Sequence, residues 1–140
     1  MTALHVAFLL ASALSCRMLP VNPTVGIEVR REGNTYVFAF RNCFDPKKAV
    51  GIHGITVKRL RQGDRDGELH CKISETQSSE PELTEKWTYG TTPAGYRMDR
   101  CEPLKPGDTY RAEVSGAGGG AAMFSIEKDG SVRAIEGECK

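Results

Sequence analysis

Five cysteines, Cys16, Cys43, Cys71, Cys101 and Cys139, are the residues whose type and spacing most constrain the chemistry of this chain. Each stands alone, with no C-x-x-C pair of the kind that holds zinc. Widely spaced single cysteines in an exported chain point to disulfides, with a zinc site as the rival reading. An odd thiol in an oxidising compartment is a liability unless something consumes it, so one of the five needs a separate fate.

Catalysis has less to work with. A hydrolytic relay needs a nucleophile, a base and a group that orients the base. Ser74, Ser78, Ser79, Ser115, Ser125 and Ser131 stand in no G-x-S-x-G setting. His53, within Gly51-Ile52-His53-Gly54, is the candidate base, because flanking glycines could expose it in a loop. An isolated base is not a site, however, and a turn histidine without a role is the preferred reading. His70 is expected on the solvent side of a strand, opposite Cys71. Asp64-Arg65-Asp66-Gly67-Glu68 resembles the start of a calcium loop with Glu75 at its twelfth position. Leu69 stands at the sixth position, where such a loop requires glycine, so a hairpin turn is expected instead. The amides of Gly116 to Gly120 follow one strand and precede another, without the helix N-terminus that lets such loops hold phosphate. The expectation is a protein with no catalytic residue, no metal and no cofactor.

Length and charge narrow the classes further. The 140 residues suit one domain, and 39% hydrophobic with 26% charged content is that of a globular chain. With 19 Lys and Arg against 18 Asp and Glu, the net charge is +1, a poor counterion for a phosphate backbone. Nucleic acid is not an expected partner. Charge is segregated along the chain: Lys47, Lys48, Lys58, Arg59, Arg61 and Arg65 make a basic zone, and Glu75, Glu80, Glu82 and Glu85 an acidic loop. Such zones could steer a partner of opposite sign, or they could be a solvated rim. Trp87 and Tyr89 are expected in the core.

The elements that position these groups begin after a targeting segment. Residues 1–15 carry no Lys, Arg, Asp or Glu, and Ala3 to Leu14 is apolar except for His5 and Ser12. That run is shorter than the ~20 residues of a membrane span and has the length of a signal's apolar region. Ala11-Ser12-Ala13 offers an A-x-A cleavage pattern. Ala13-Leu14-Ser15-Cys16 resembles a bacterial lipobox, in which the cysteine thiol is acylated. Lipidation of Cys16 leaves an even set of four cysteines, which favours the second exit. The expected organisation is a signal peptide over 1–15, a short linker over 16–23 and one domain over 24–140.

That domain reads as strands. Val25, Ile27 and Val29 alternate with polar partners, a period of two. Tyr36 to Phe40 is apolar on both faces and is expected to be central. Gly54 to Leu60, Leu69 to Ile73, the segments around Trp87 and Tyr96, and Thr109 to Ser115 continue the pattern. A last hairpin joins Met123–Ile126 to Val132–Ile135 through Asp129-Gly130. Glu75 to Glu85 is expected to be an exposed loop. Seven to nine short strands predict an all-β antiparallel sandwich.

Leu104-Lys105-Pro106-Gly107-Asp108-Thr109-Tyr110 resembles the L-x-P-G-x-x-Y signature of fibronectin type III domains. The resemblance implies a fibronectin/immunoglobulin-like sandwich in which Pro106 and Gly107 turn a corner, Leu104 fills the core and Tyr110 pins the corner to the backbone. Together with the signal and Cys16, the chain is similar to small lipoproteins of Gram-negative bacteria, which implies a location and little else.

An up-and-down walk through the strands puts Cys43 and Cys71 at one pole and Cys101 and Cys139 at the other. The predicted bridges are therefore Cys43–Cys71 and Cys101–Cys139. The sequence thus describes an exported, lipid-anchored, disulfide-stapled module of the cell envelope, facing the periplasm and held to a membrane through Cys16, that binds an envelope protein. Simple secretion is the other expected location. A narrower alternative is an inhibitor or immunity protein that blocks a toxin or hydrolase in the periplasm. On either reading Glu75, Glu80, Glu82, Glu85, Lys58, Arg59 and Arg61 are the candidate docking residues.

Overall fold

Cross-strand pairing of the alternating apolar residues builds the first hairpin. The structure, a computed structural model, describes residues 24–63, 66–76, 83, 85–116 and 118–139. The expected signal segment, Cys16 and its linker, Asp64, Arg65, Glu80 and Glu82 lie outside the described residues. In β1 (Val25–Glu32) and β2 (Thr35–Asn42), Ile27 faces Phe40 and Val29 faces Phe38. Val37, on the other face of β2, is also buried, and β2 is central, with β5 (Lys86–Thr88) on its far side.

The second sheet is β6 (Tyr96–Cys101), β4 (Glu68–Glu75), β3 (Ile52–Leu60), β7 (Thr109–Gly116), β8 (Gly120–Ile126) and β9 (Val132–Glu136), in that spatial order. All named strand pairs are antiparallel, and nine strands in two sheets make an all-β sandwich with no helix among the described residues. None of the described residues forms a helix long and apolar enough to cross a membrane. The sheets also meet along one side. Val25 N–H donates to the Gly119 carbonyl (3.0 Å) and Ile27 N–H to that of Gly137 (2.9 Å), so backbone groups on the edge of β1 are satisfied by the other sheet.

Between the sheets runs a column of rings. Trp87 tilts against Phe38 (centroids 5.2 Å), Phe124 meets Phe38 edge-on (5.6 Å), Tyr110 stacks on Phe124 (5.7 Å) and the His70 imidazole lies against Tyr110 (5.0 Å). Trp87 satisfies its indole N–H on the Thr91 carbonyl (2.9 Å), which lets so large a ring be buried without an orphaned donor.

His70 corrects the expectation of a solvent-facing side chain. It is 2% exposed, beside the equally buried Cys71. The β3–β4 register passes from Val57↔Cys71 to Lys58↔Leu69, so His70 is an extra residue, a β-bulge that turns two consecutive side chains inward. Its Nε2–H donates to the Pro103 carbonyl (2.9 Å), which offsets the cost of burying the ring. The stretch after β4 also departs from an exposed loop at two points. Glu75 is the last residue of β4, and Leu83 is 8% exposed, held where Ile52 N–H donates to its carbonyl (3.0 Å).

The disulfide pairing is corrected as well. The bridges are Cys43–Cys139 and Cys71–Cys101, with Cα separations of 5.3 and 3.9 Å. The pole-by-pole walk fails because β5 leaves its neighbours to pair with β2, and β6 then returns to the free edge of β4. That return sets Cys101 directly across from Cys71. Cys139 follows β9 to the side of β1, where Gly137 and Ile27 are bonded, and there meets Cys43 just past the end of β2. Gly26 makes the crossing possible: a Cβ there would lie 2.5 Å from Cys139 Sγ.

Candidate functional site

The groups that could act chemically collect at the start of β3. The β3–β7 register runs Ile52↔Gly116 and then Gly54↔Ser115, which leaves His53 as the extra residue of a bulge. Bulges re-aim a side chain out of the strand's alternation. The imidazole lies over Gly116, where any side chain would collide: a Cβ there would be 3.1 Å from His53 Cδ2 and 2.0 Å from the Gly51 carbonyl oxygen. His53 is thus on a strand and not in the loop its flanking glycines suggest.

Across β3, the last residue of β4 supplies a partner. Nδ1 of His53 is hydrogen-bonded to Oε2 of Glu75, whose side chain is 10% exposed while that of His53 is 42% exposed. With Nδ1–H given to the carboxylate, the neutral ring keeps its lone pair on Nε2. A groove of about 270 Å³ opens beside the pair, lined by Thr56, Lys72, Ser74, Glu113 and Ser115 among others. This is a base with an orienting carboxylate, two of the three parts of a relay. Among the described residues no hydroxyl is hydrogen-bonded to His53, so the nucleophile's place is not filled. What the arrangement provides is a polar recess with one positioned imidazole. Among the described residues no group of three or more His, Cys, Asp or Glu side chains converges as metal ligands would.

The candidate docking charges are distributed differently from their order in the sequence. Lys58 pairs with Glu113 (3.9 Å), Arg59 with Glu68 (3.1 Å) and Asp108 (3.8 Å), and Arg61 with Glu68 (3.2 Å). Cross-strand carboxylates therefore neutralise this part of the basic zone. Such exposed pairs contribute little to stability, and they leave little net field to steer a partner. Of the acidic residues, Glu75 is committed to His53. Glu85 is exposed, and its carbonyl accepts from Phe40 N–H (2.8 Å).

At the opposite end of β7, Tyr110 is fully buried, and its hydroxyl oxygen accepts from Lys105 N–H (2.9 Å). Leu104 is 8% exposed within the core, and Gly107 N–H donates to the Ile126 carbonyl (2.7 Å). Pro106 stays exposed at the turn. Burial raises the Tyr110 phenol above its ordinary value, opposed in part by the Lys105 amide. Tyr89 is raised further, by burial first and by the neighbouring Tyr110 and Glu102 after it.

The residue that reading the sequence missed is Glu75 as the partner of His53. A two-residue turn at Asp66-Gly67 would pair position 53 with position 80. The observed register, extended one step beyond Gly54↔Ser74, instead sets position 53 opposite position 75. Comparison of the chain with protein-family models, with curated proteins and with solved structures finds no match.

Proposed function

We propose that this protein is an exported cell-envelope module, anchored by lipid at Cys16, that works by binding a protein partner and not by catalysis. The observation that carries the reading is the cysteine arrangement. Cys43, Cys71, Cys101 and Cys139 are consumed in two bridges, which belong to an oxidising, extracellular-type environment and leave Cys16 as the odd thiol. A lipid bond would consume it.

Intact mass of the protein extracted from membranes tests the reading. Added diacylglyceryl and acyl mass on Cys16, together with the loss of four hydrogens for two bridges, is the expected result. A mature chain that keeps residues 1–15 and titrates free thiols would overturn it. Isolation of a stoichiometric complex with one envelope toxin or hydrolase would replace the accessory role with that of an inhibitor or immunity protein.

A further inference from the structure

Among the described residues two large apolar side chains face solvent, and Phe44, 68% exposed, is the more exposed of them. It is held there by construction. The buried Asn42 side chain accepts both Phe44 N–H (3.0 Å) and Asp45 N–H (3.1 Å) on Oδ1. Asp45 accepts Lys47 N–H on its carboxylate (3.1 Å) and Lys48 N–H on its carbonyl (3.0 Å). Cys43, beside the ring, is bonded to Cys139. A turn fixed in this way has already lost the freedom that binding would otherwise have to remove.

Cations flank Phe44 along the chain. Lys47, Lys48 and Arg41 are exposed, and none has a carboxylate partner among the described residues, in contrast to Lys58, Arg59 and Arg61. The Asp45 carboxylate is occupied by the turn's own amide, and Glu138 beside Cys139 offsets part of the charge. The chain also enters the domain at this pole. Cys43 N–H donates to the carbonyl of Thr24 (3.0 Å). The eight residue steps from Cys16 to Thr24 span at most about 28 Å. An acyl group on Cys16 would hold this pole within that reach of a bilayer.

We propose that the turn from Asn42 to Lys48 seats the domain on an anionic lipid surface. Phe44 enters the boundary between headgroups and acyl chains, and Lys47, Lys48 and Arg41 lie over lipid phosphates. An apolar aromatic beside lysines is the chemistry of an interfacial contact, and one acyl anchor holds more firmly when a second contact adds to it. The inference rests on the anchored reading above, and its test separates the two.

The membrane-extracted full chain carrying Phe44→Trp is reconstituted into phosphatidylethanolamine–phosphatidylglycerol vesicles containing brominated lipid. Trp87, 2% exposed, is a core background that bromines cannot reach. The expected result is emission from position 44 shifted to shorter wavelength and quenched by bromines near the headgroups. Each of Lys47→Glu and Lys48→Glu should weaken the seated population by roughly fivefold or more. Unquenched, water-like emission from a chain whose mass carries the Cys16 lipid would overturn the seat while the anchor stands. A blue shift without quenching would also overturn it, placing Phe44 in a protein pocket. If the mature chain carries no lipid, the anchored reading falls, and the same chain added to the vesicles decides the seat by presence or absence of quenching.

Discussion

Tyr110 shows how one hydroxyl joins local chemistry to the whole fold. Its ring belongs to the aromatic column, and its oxygen is the partner of the Lys105 amide. Tyr110→Phe keeps the ring and orphans that N–H. A loss of about 0.5–1.5 kcal/mol is expected in urea unfolding, the net worth of one hydrogen bond at a part-buried turn. Tyr110 and Tyr89 also set an alkaline limit, since both hold their protons above the ordinary value of 10.0. In the unfolded chain they ionise near pH 10 while the native chain keeps them neutral. The unfolded state then binds fewer protons, so stability is complete below pH 10 and falls as pH rises beyond it. Melting temperature followed from pH 8 to 12 should decline above pH 10, and less steeply in Tyr89→Phe. A flat profile would contradict the burial of these phenols.

Among the strands, what could be read and what could not divide on one physical point. Period-two alternation and turn dipeptides located β1, β2, β7, β8 and β9, and the two-faced apolar character of Tyr36 to Phe40 marked β2 as central. The same arithmetic failed at His70. An inserted residue reverses which face follows, and the bulge is decided by partners that a local pattern does not contain. His53 went astray for the same reason, and with it the recognition that Glu75 reaches the ring. Disulfide pairing was lost at β5, whose three residues carry too weak a pattern to reveal that they join the other sheet. The element scale has its own test at Gly26. Gly26→Val would drive a side chain into Cys139 Sγ, and thiol titration should find Cys43 and Cys139 partly reduced while Cys71 and Cys101 stay closed.

For the molecule as a whole, the two bridges do different work. Cys71–Cys101 joins neighbours within one sheet and spans 30 residues, whereas Cys43–Cys139 joins the two sheets and spans 96. In the chain-entropy account they restrict the unfolded state by about 4 and about 5 kcal/mol respectively. Replacing the pair Cys43 and Cys139 by serine should therefore lower stability at least as much as replacing Cys71 and Cys101. Denaturant midpoints of the two double variants give the order. A larger loss from the within-sheet pair would show that strain or residual structure outweighs chain length.

The bonding of β1 to Gly119 and Gly137 has a consequence for how the chain is made. A polypeptide made from its N-terminus delivers the opening strand early, yet that strand's outer hydrogen bonds and the thiol that meets Cys43 arrive almost a hundred residues later. The sandwich can close only once its tail has been made, and until then the opening strand's outer edge waits for its partners.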